Sequence, residues 1–263
     1  MKIVVAVKQV AALDDEFELL DGGSGVDPDS LEWDLNEWDT FSVEAALVLR
    51  EAAGGEVVVV TVGEEEAEEG LLSCLAKGAD RAVRVWDDAL ADTGDALAIA
   101  RVLAAVIERE SPDLVLCGVQ SSDAVNGATG VAVAGFLGLP HVAVVKGLAH
   151  DAAAGSVTVE RELEGGLVER LRIGLPALLT IQTGINEPRY ANLRAIKQAR
   201  EKPMEVTDLN GIGLDGGQVA AAAGAHRLAL AEPDRGEGAE MLAGSAGDVA
   251  ARIAEIVRER MAS

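Results

Sequence analysis

Five short runs of aliphatic and β-branched residues recur along the first 145 positions: Lys2–Val7, Glu56–Val62, Ala82–Trp86, Leu114–Cys117 and His141–Val145. They are apolar almost throughout rather than at every second position, so each needs cover on two faces. That is the condition of a strand inside a parallel sheet. Between them lie segments with helical spacing and helical punctuation. Asp39 or Thr40 can cap a helix over Phe41–Ala53 that Gly54-Gly55 ends. Glu64-Glu65-Glu66 favour the positive end of a second helix, which stops at Lys77-Gly78. Asp92 or Thr93 can cap a third over Gly94–Glu108, and a small-residue helix running to Leu137 closes at Gly138 and Pro140. Five strands alternating with four helical connections predict an α/β fold, a doubly wound and mostly parallel sheet.

Two departures from this alternation are legible. Asp14 to Asp39 holds eleven acids and no base, broken by Gly22-Gly23-Ser24-Gly25 and Asp27-Pro28, and reads as a surface excursion with a polar hairpin. After Lys146, Ser156–Leu163 and Leu167–Ile173 alternate and meet across Glu164-Gly165-Gly166, an antiparallel hairpin that belongs near a sheet edge. Pro176 leads into one more buried strand, Ala177–Gln182. A short basic helix is expected over Leu193–Arg200, and Arg189, Arg194, Lys197, Arg200 and Lys202 stand apart in so acidic a chain. Beyond Pro203, Asn210–Ala225 is rich in glycine and alanine and reads as an extended arm. An amphipathic helix over Asp248–Met261 follows. The organisation expected is a domain over residues 1–203 and a C-terminal arm over 204–263 that docks on another subunit.

Composition removes several functions. A formal net charge of −23 argues against DNA, RNA or an anionic membrane surface as the main partner. No apolar run approaches the ~20 residues a membrane span requires. The opening MKIVVAVKQV is too short for a secretory signal and reads as a first buried strand. Cys74 and Cys117 form neither a disulfide framework nor a metal spacing, which fits a reducing cytoplasm. His141, His150 and His226 are widely separated, so a zinc site or a histidine triad is not expected.

The stretch Pro112–Pro140 carries the chemistry. After Leu114–Cys117 the apolar pattern stops at Gly118, and Gln120, Ser121, Ser122, Asp123, Asn126, Gly127, Thr129 and Gly130 follow before the next helix. Ligands of open α/β sheets sit at the carboxyl ends of strands, where helix N-termini present free N–H groups to anions. Hydroxyls, amides and glycines there suit a phosphate or a ribose. The same composition suits an ordinary connection, and neither G-x-G-x-x-G nor G-x-x-x-x-G-K-[ST] occurs.

Taken in order, these residues resemble the beta subunit of electron transfer flavoproteins over nearly the whole chain. The matching segments begin with KIVVAVKQV, Asn36 to Asp39 followed by SVEAAL, and Thr61 to Ala82 with its TVG and KGADRA ends. DLVLCGVQSSD and VERELEGGL at Val159–Leu167 follow, then LPALLTIQTGINEPRYANLRAIKQARE from Leu175 to Glu201, the most specific of the set. The resemblance implies a Rossmann-like domain paired with an alpha subunit that holds most of the FAD. It implies a buried adenine nucleotide in this chain, AMP in ordinary members and a second FAD in electron-bifurcating ones. The implied nucleotide contacts fall on Ala6, Asn36–Asp39, Val62 and the Gly118–Gly130 loop. A recognition loop falls on Asn186–Arg200, with Leu193 as anchor beside Tyr190 and Arg194, and Glu162 matches a position that steadies the mobile flavin domain. The implied partners are acyl-CoA or related flavin dehydrogenases of fatty acid beta-oxidation and a quinone oxidoreductase as acceptor. The implied role is a cytoplasmic carrier without bond-making chemistry.

One departure bears on the ligand. The loop reads DAVNGATG, and with Thr129-Gly130 aligned Asn126 sits one place from the family's usual asparagine, which leaves AMP and FAD both open. Two rivals of another class are an ATP pyrophosphatase or hydrolase, which would carry S-G-G-x-D-S after the first strand, and a universal-stress-type ATP-binding module. The first lacks its motif, since Val7-Lys8-Gln9-Val10 stands in that place, and the second does not explain residues 186–201.

Overall fold

The computed structural model describes residues 1–12, 18–27, 31–91, 94–226, 228–231, 239 and 241–262. Its frame is a nine-stranded sheet. The strands are β1 (Lys2–Ala6), β4 (Glu56–Val62), β5 (Arg81–Val85), β6 (Leu114–Gly118), β7 (His141–Asp151), β8 (Ser156–Glu162), β9 (Val168–Gly174), β10 (Ala177–Ile181) and β11 (Met204–Thr207), in the spatial order β11-β5-β4-β1-β6-β10-β7-β8-β9. From β11 to β7 every pairing is parallel, and β7-β8 and β8-β9 are antiparallel. The doubly wound sheet and its hairpin edge are as predicted. The last buried run has a more central place than its position in the chain suggests, because β10 inserts between β6 and β7.

Both faces of the central strands are covered, which explains their continuous apolar character. Ile3, Val5, Val57 and Val59 face the helices α1 (Glu37–Ala53) and α2 (Ala67–Lys77). Val4, Ala6, Val58 and Val60 face α3 (Ala96–Glu110) and α4 (Thr129–Leu137). The long strand β7 changes partner midway: it runs parallel to β10 as far as Val145, then slips register and continues antiparallel to β8. The slip follows Val144, whose φ of 61° is left-handed and whose N–H donates to the Thr180 hydroxyl, 3.0 Å.

Helix starts differ from the sequence reading. Helix α1 begins at Glu37 after Asn36, earlier than a cap at Asp39 or Thr40 implies, which places Asp39 inside its first turn. Asp95 caps α3, accepting from the N–H groups of Leu97 (2.8 Å) and Ala98 (3.0 Å). The expected caps Asp92 and Thr93 lie outside the described residues. The acidic excursion returns as a two-stranded antiparallel ribbon, β2 (Gln9–Ala12) with β3 (Glu32–Leu35).

The largest difference is at residues 204–222. Met204–Thr207 forms the edge strand β11 against β5, and Leu209, Ile212, Leu214 and Val219, the last on α6 (Gly216–Ala222), are buried in the core beside α3. A segment read as an extended arm is therefore part of the packed sheet domain. Two compact units result, Met1–Ala229 and Leu230–Ser263. In the second, α7 (Ala246–Ala262) opens with Ser245 and Asp248 bonding each other's backbone N–H, as in a capping box.

Candidate functional site

The chain runs from β1 outward through β4 and β5, then returns to the other side of β1 as β6. The topological switch therefore lies between β1 and β6, and at the carboxyl ends of these strands there is a cavity of about 470 Å³. Its inner part is apolar, formed by Leu103 and Ile107 of α3, Val133 of α4, and Val115, Cys117 and Leu178 from the sheet. Its outer part carries Lys8, Asn36, Gln120, Ser121, Asn126 and Thr129, with Trp33 and Trp86 also in the wall. An apolar slot with a few convergent polar groups is how a small-molecule site is built, and the volume is within the range such sites occupy.

Of the residues singled out from the sequence, Ala6, Asn36, Asp39, Val62, Gly118, Gln120, Ser121, Asn126, Gly127, Thr129 and Gly130 all line this one cavity. Ser122 and Asp123 stand outside its wall. The Ser122 N–H donates to Asn36 Oδ1 at 3.2 Å, and the Asp123 carboxylate takes the Lys8 ammonium at 2.6 and 2.8 Å. Burial alone would raise the Asp123 carboxyl, but hydrogen bonds from Lys8 and Ser121 and the Lys8 charge hold it below its ordinary range.

The polar atoms of Asn36 and Asp39 are spent on backbone. Asn36 Nδ2 donates to the Gln120 carbonyl, 2.8 Å. Asp39 accepts from the N–H of Lys8 (2.8 Å) and of Gly118 (2.9 Å), so one buried carboxylate ties the end of β1 to the end of β6. Burial pushes the Asp39 carboxyl up to about 7, against the pull of the Lys8, Asn36 and Gly118 hydrogen bonds and the Lys8 charge. Gly118 is required by this closeness, because a Cβ there would lie 2.5 Å from Asp39 Oδ1 and 2.6 Å from Trp38 Cβ. The loop then passes through left-handed backbone at Val125 and Gly127, and α4 starts at Thr129 with no side chain capping its N–H groups. Those donors, at the positive end of the helix, border the cavity at Thr129 and Gly130.

The comparisons with known proteins decide which sheet protein this is. An electron transfer flavoprotein domain matches residues 25–210. Relatives named electron transfer flavoprotein subunit beta include one from Methylophilus methylotrophus, 49% identical over 262 residues and covering 98% of each chain. The Bacillus subtilis protein of that name is 34% identical over 215 residues, 82% of each chain. The human one is 36% identical over 217 residues, 82% of this chain and 84% of its own. This chain belongs to the electron transfer flavoprotein subunit beta family. An electron-transfer role, a flavin-related cofactor and an alpha-subunit partner come with that family. The cavity offers an apolar slot, the uncapped N–H groups that open α4, and hydroxyls on one rim.

Residues 186–200 form a separate surface. Tyr190 and Leu193 are 97% and 80% exposed, and Arg194 is exposed beside them on α5 (Leu193–Ala199). The base of this segment is rigid: Arg189 is clamped by Glu44 (2.8 Å) and Glu51 (2.5 Å), and Asn192 caps the helix through the Ala195 N–H. Glu162, on β8, pairs with Lys146 at 3.1 Å, whereas Arg161 and Arg172 engage Glu169 and Ser156 instead. Among the described residues no helix is long and apolar enough to cross a membrane, and no cluster of three His, Cys, Asp or Glu suits a metal ion.

Sequence reasoning missed Lys8, Trp33 and Trp86. The lysine is two residues past the buried strand β1, at the end of the sheet where ligands of parallel-sheet proteins sit, and that position was the available signal.

Proposed function

We propose that this chain is the adenine-nucleotide-holding and partner-docking half of a heterodimeric electron transfer flavoprotein. In this reading it carries electrons from acyl-CoA or related flavin dehydrogenases to a quinone oxidoreductase in the cytoplasm. The observation that carries it is the cavity at the β1–β6 switch, where eleven residues marked from the sequence converge on the uncapped start of α4. AMP is the ligand best suited. An adenine ring matches the apolar inner part, and a phosphate matches the N–H groups of Thr129 and Gly130 and the hydroxyls of Ser121 and Thr129.

FAD, held mainly by the alpha subunit, supplies reversible one- and two-electron chemistry when bound. The residues of this chain hold and orient. Asn36 and Asp39 fix the nucleotide loop, and bound AMP stabilises the sheet domain by favouring the folded state alone. Tyr190, Leu193 and Arg194 present an apolar anchor with a cationic flank to the dehydrogenase, and Glu162 steadies the flavin domain. Residues 230–263, with the amphipathic α7, dock on the alpha subunit.

Acid release of the ligands from the co-expressed pair tests this. Equal amounts of AMP and FAD are expected, from a yellow protein. FAD alone, at twice the protein, would assign the bifurcating form, and a colourless pair empty of adenosine compounds would overturn the reading. For the docking loop, Leu193→Ala should weaken dehydrogenase binding by about 2 kcal/mol, roughly thirtyfold. Unchanged affinity in a titration would remove the loop from that role.

A further inference from the structure

We infer that Lys8 supplies the side-chain positive charge for the nucleotide's phosphate, and that Asp123 is the counter-ion that holds its ammonium ready at the cavity wall. The inference rests on reading the cavity as an adenine-nucleotide site. It starts from charge. The chain carries a net charge of −23, so an anion approaching it meets repulsion unless something local offsets it. Among the described residues lining the cavity, only Lys8 and Asp39 belong to the charged types, and only Lys8 is a cation.

The lysine is built to turn toward a ligand. Its backbone is pinned on both sides, the N–H donating to Asp39 Oδ2 at 2.8 Å and the carbonyl accepting from the Asn36 N–H at 2.9 Å. Its stem is the free part, ending 2.6 Å from Asp123 Oδ2 and 3.5 Å from the Ser121 hydroxyl. Asp123 is held in turn by the Ala124 N–H, 2.8 Å; Ser121 and Ala124 line the cavity, while Ser122 and Asp123 do not. The ammonium of a cavity-lining lysine therefore rests on a carboxylate that is not part of the cavity wall.

Exchange between the two anions is easy. The Lys8–Asp123 pair is part-exposed, at 45% and 29% for the two side chains, and such a pair contributes only about 0–1 kcal/mol. A phosphate inside the cavity carries more charge and sits in a less polar setting, so it wins the ammonium. Asp39 opposes this less than a fully ionised carboxylate would, because burial pushes its carboxyl up to about 7 and leaves it partly protonated.

The test uses the heterodimer, stripped of nucleotide and titrated calorimetrically with AMP and separately with adenosine. Lys8→Gln should weaken AMP roughly ten- to a hundredfold, the worth of one hydrogen bond to a charged group, and leave adenosine unchanged. Lys8→Arg should keep most of the AMP affinity, and Asp123→Asn should bind AMP at least as tightly as wild type. Wild-type AMP affinity in Lys8→Gln overturns the assignment, as does an equal loss for AMP and adenosine. A loss in Asp123→Asn as large as in Lys8→Gln also overturns it, because the pair would then act only as a brace. A wild-type heterodimer that takes neither AMP nor adenosine overturns the cavity reading together with this one.

Discussion

Asp39 is a carboxyl whose chemistry is strongly altered by its surroundings. It is 4% exposed, accepts two backbone N–H groups, and titrates near 7 instead of its ordinary 3.8. With the folded value above the unfolded one, its contribution to stability is complete below about pH 4 and is lost as pH rises through about 7. Over that window the folded state holds a proton the unfolded chain has released, a slope of about 1.4 kcal/mol per pH unit. Relative to Asp39→Asn, the wild-type pair should lose about 2 kcal/mol between pH 5 and pH 7 in urea unfolding. Parallel stability profiles would show that Asp39 does not titrate there. A second substitution probes the same knot: Gly118→Ala drives a methyl group into Asp39 and Trp38 and should cost about 1–3 kcal/mol in the same assay. Glycine and hydroxyl residues of this loop could be marked from the sequence, and they line the cavity, because the apolar pattern of β6 stops abruptly at Gly118. Lys8 could not, since a lysine after a strand has the same pattern whether it meets solvent or a phosphate.

Among the elements, residues 186–200, proposed above as the docking loop, show how an exposed leucine is kept in place. Glu44 is buried in α1, and its carboxylate takes both the N–H and the guanidinium of Arg189, while Glu51 one helical stretch later takes the other face of the fork. The two carboxylates hold the Arg189 guanidinium above its ordinary range, and that guanidinium holds Glu51 below its own. Arg189→Ala leaves Glu44 buried without its cation, a loss of about 1–3 kcal/mol, and frees the chain before Tyr190. Dehydrogenase affinity should fall in this variant although no apolar contact residue has changed, and hydrogen exchange over residues 186–196 should rise; unaltered exchange would remove the clamp from the argument. The central strands were legible because a β-branched run buried on two faces has few alternatives. The short edge strand β11, MEVT, was not, since Glu205 and Val206 are exposed and the four residues carry no period long enough to read.

Across the whole molecule, the two compact units ask for different partners. Residues 204–222 complete the sheet domain: Leu209, Ile212, Leu214 and Val219 are 1–7% exposed, and burying four such side chains contributes about 6–12 kcal/mol. That is comparable to the entire stability of an ordinary domain. The glycines between these apolar residues hid this role, because Gly211, Gly213, Gly216 and Gly217 break any helical or strand period in the sequence. Residues 230–263 differ. Among their described residues the one regular element, α7, is 17 residues long and leaves Ile253 and Val257 each 50% exposed. A helix in a protein takes most of its stability from packing an apolar face, and we propose that the alpha subunit provides the surface for this one. Two truncations separate these roles. A chain ending at Ala229 should keep the circular dichroism of the sheet domain and still retain AMP, while its association with the alpha subunit weakens in sedimentation or pull-down. A chain ending at Pro203 should lose the fold itself, appearing insoluble or without a cooperative melt. If the shorter chain melts cooperatively near the full-length midpoint, β11 and α6 are dispensable to the core. If the chain ending at Ala229 pairs as tightly as the full chain, the alpha subunit is held elsewhere and α7 needs another partner.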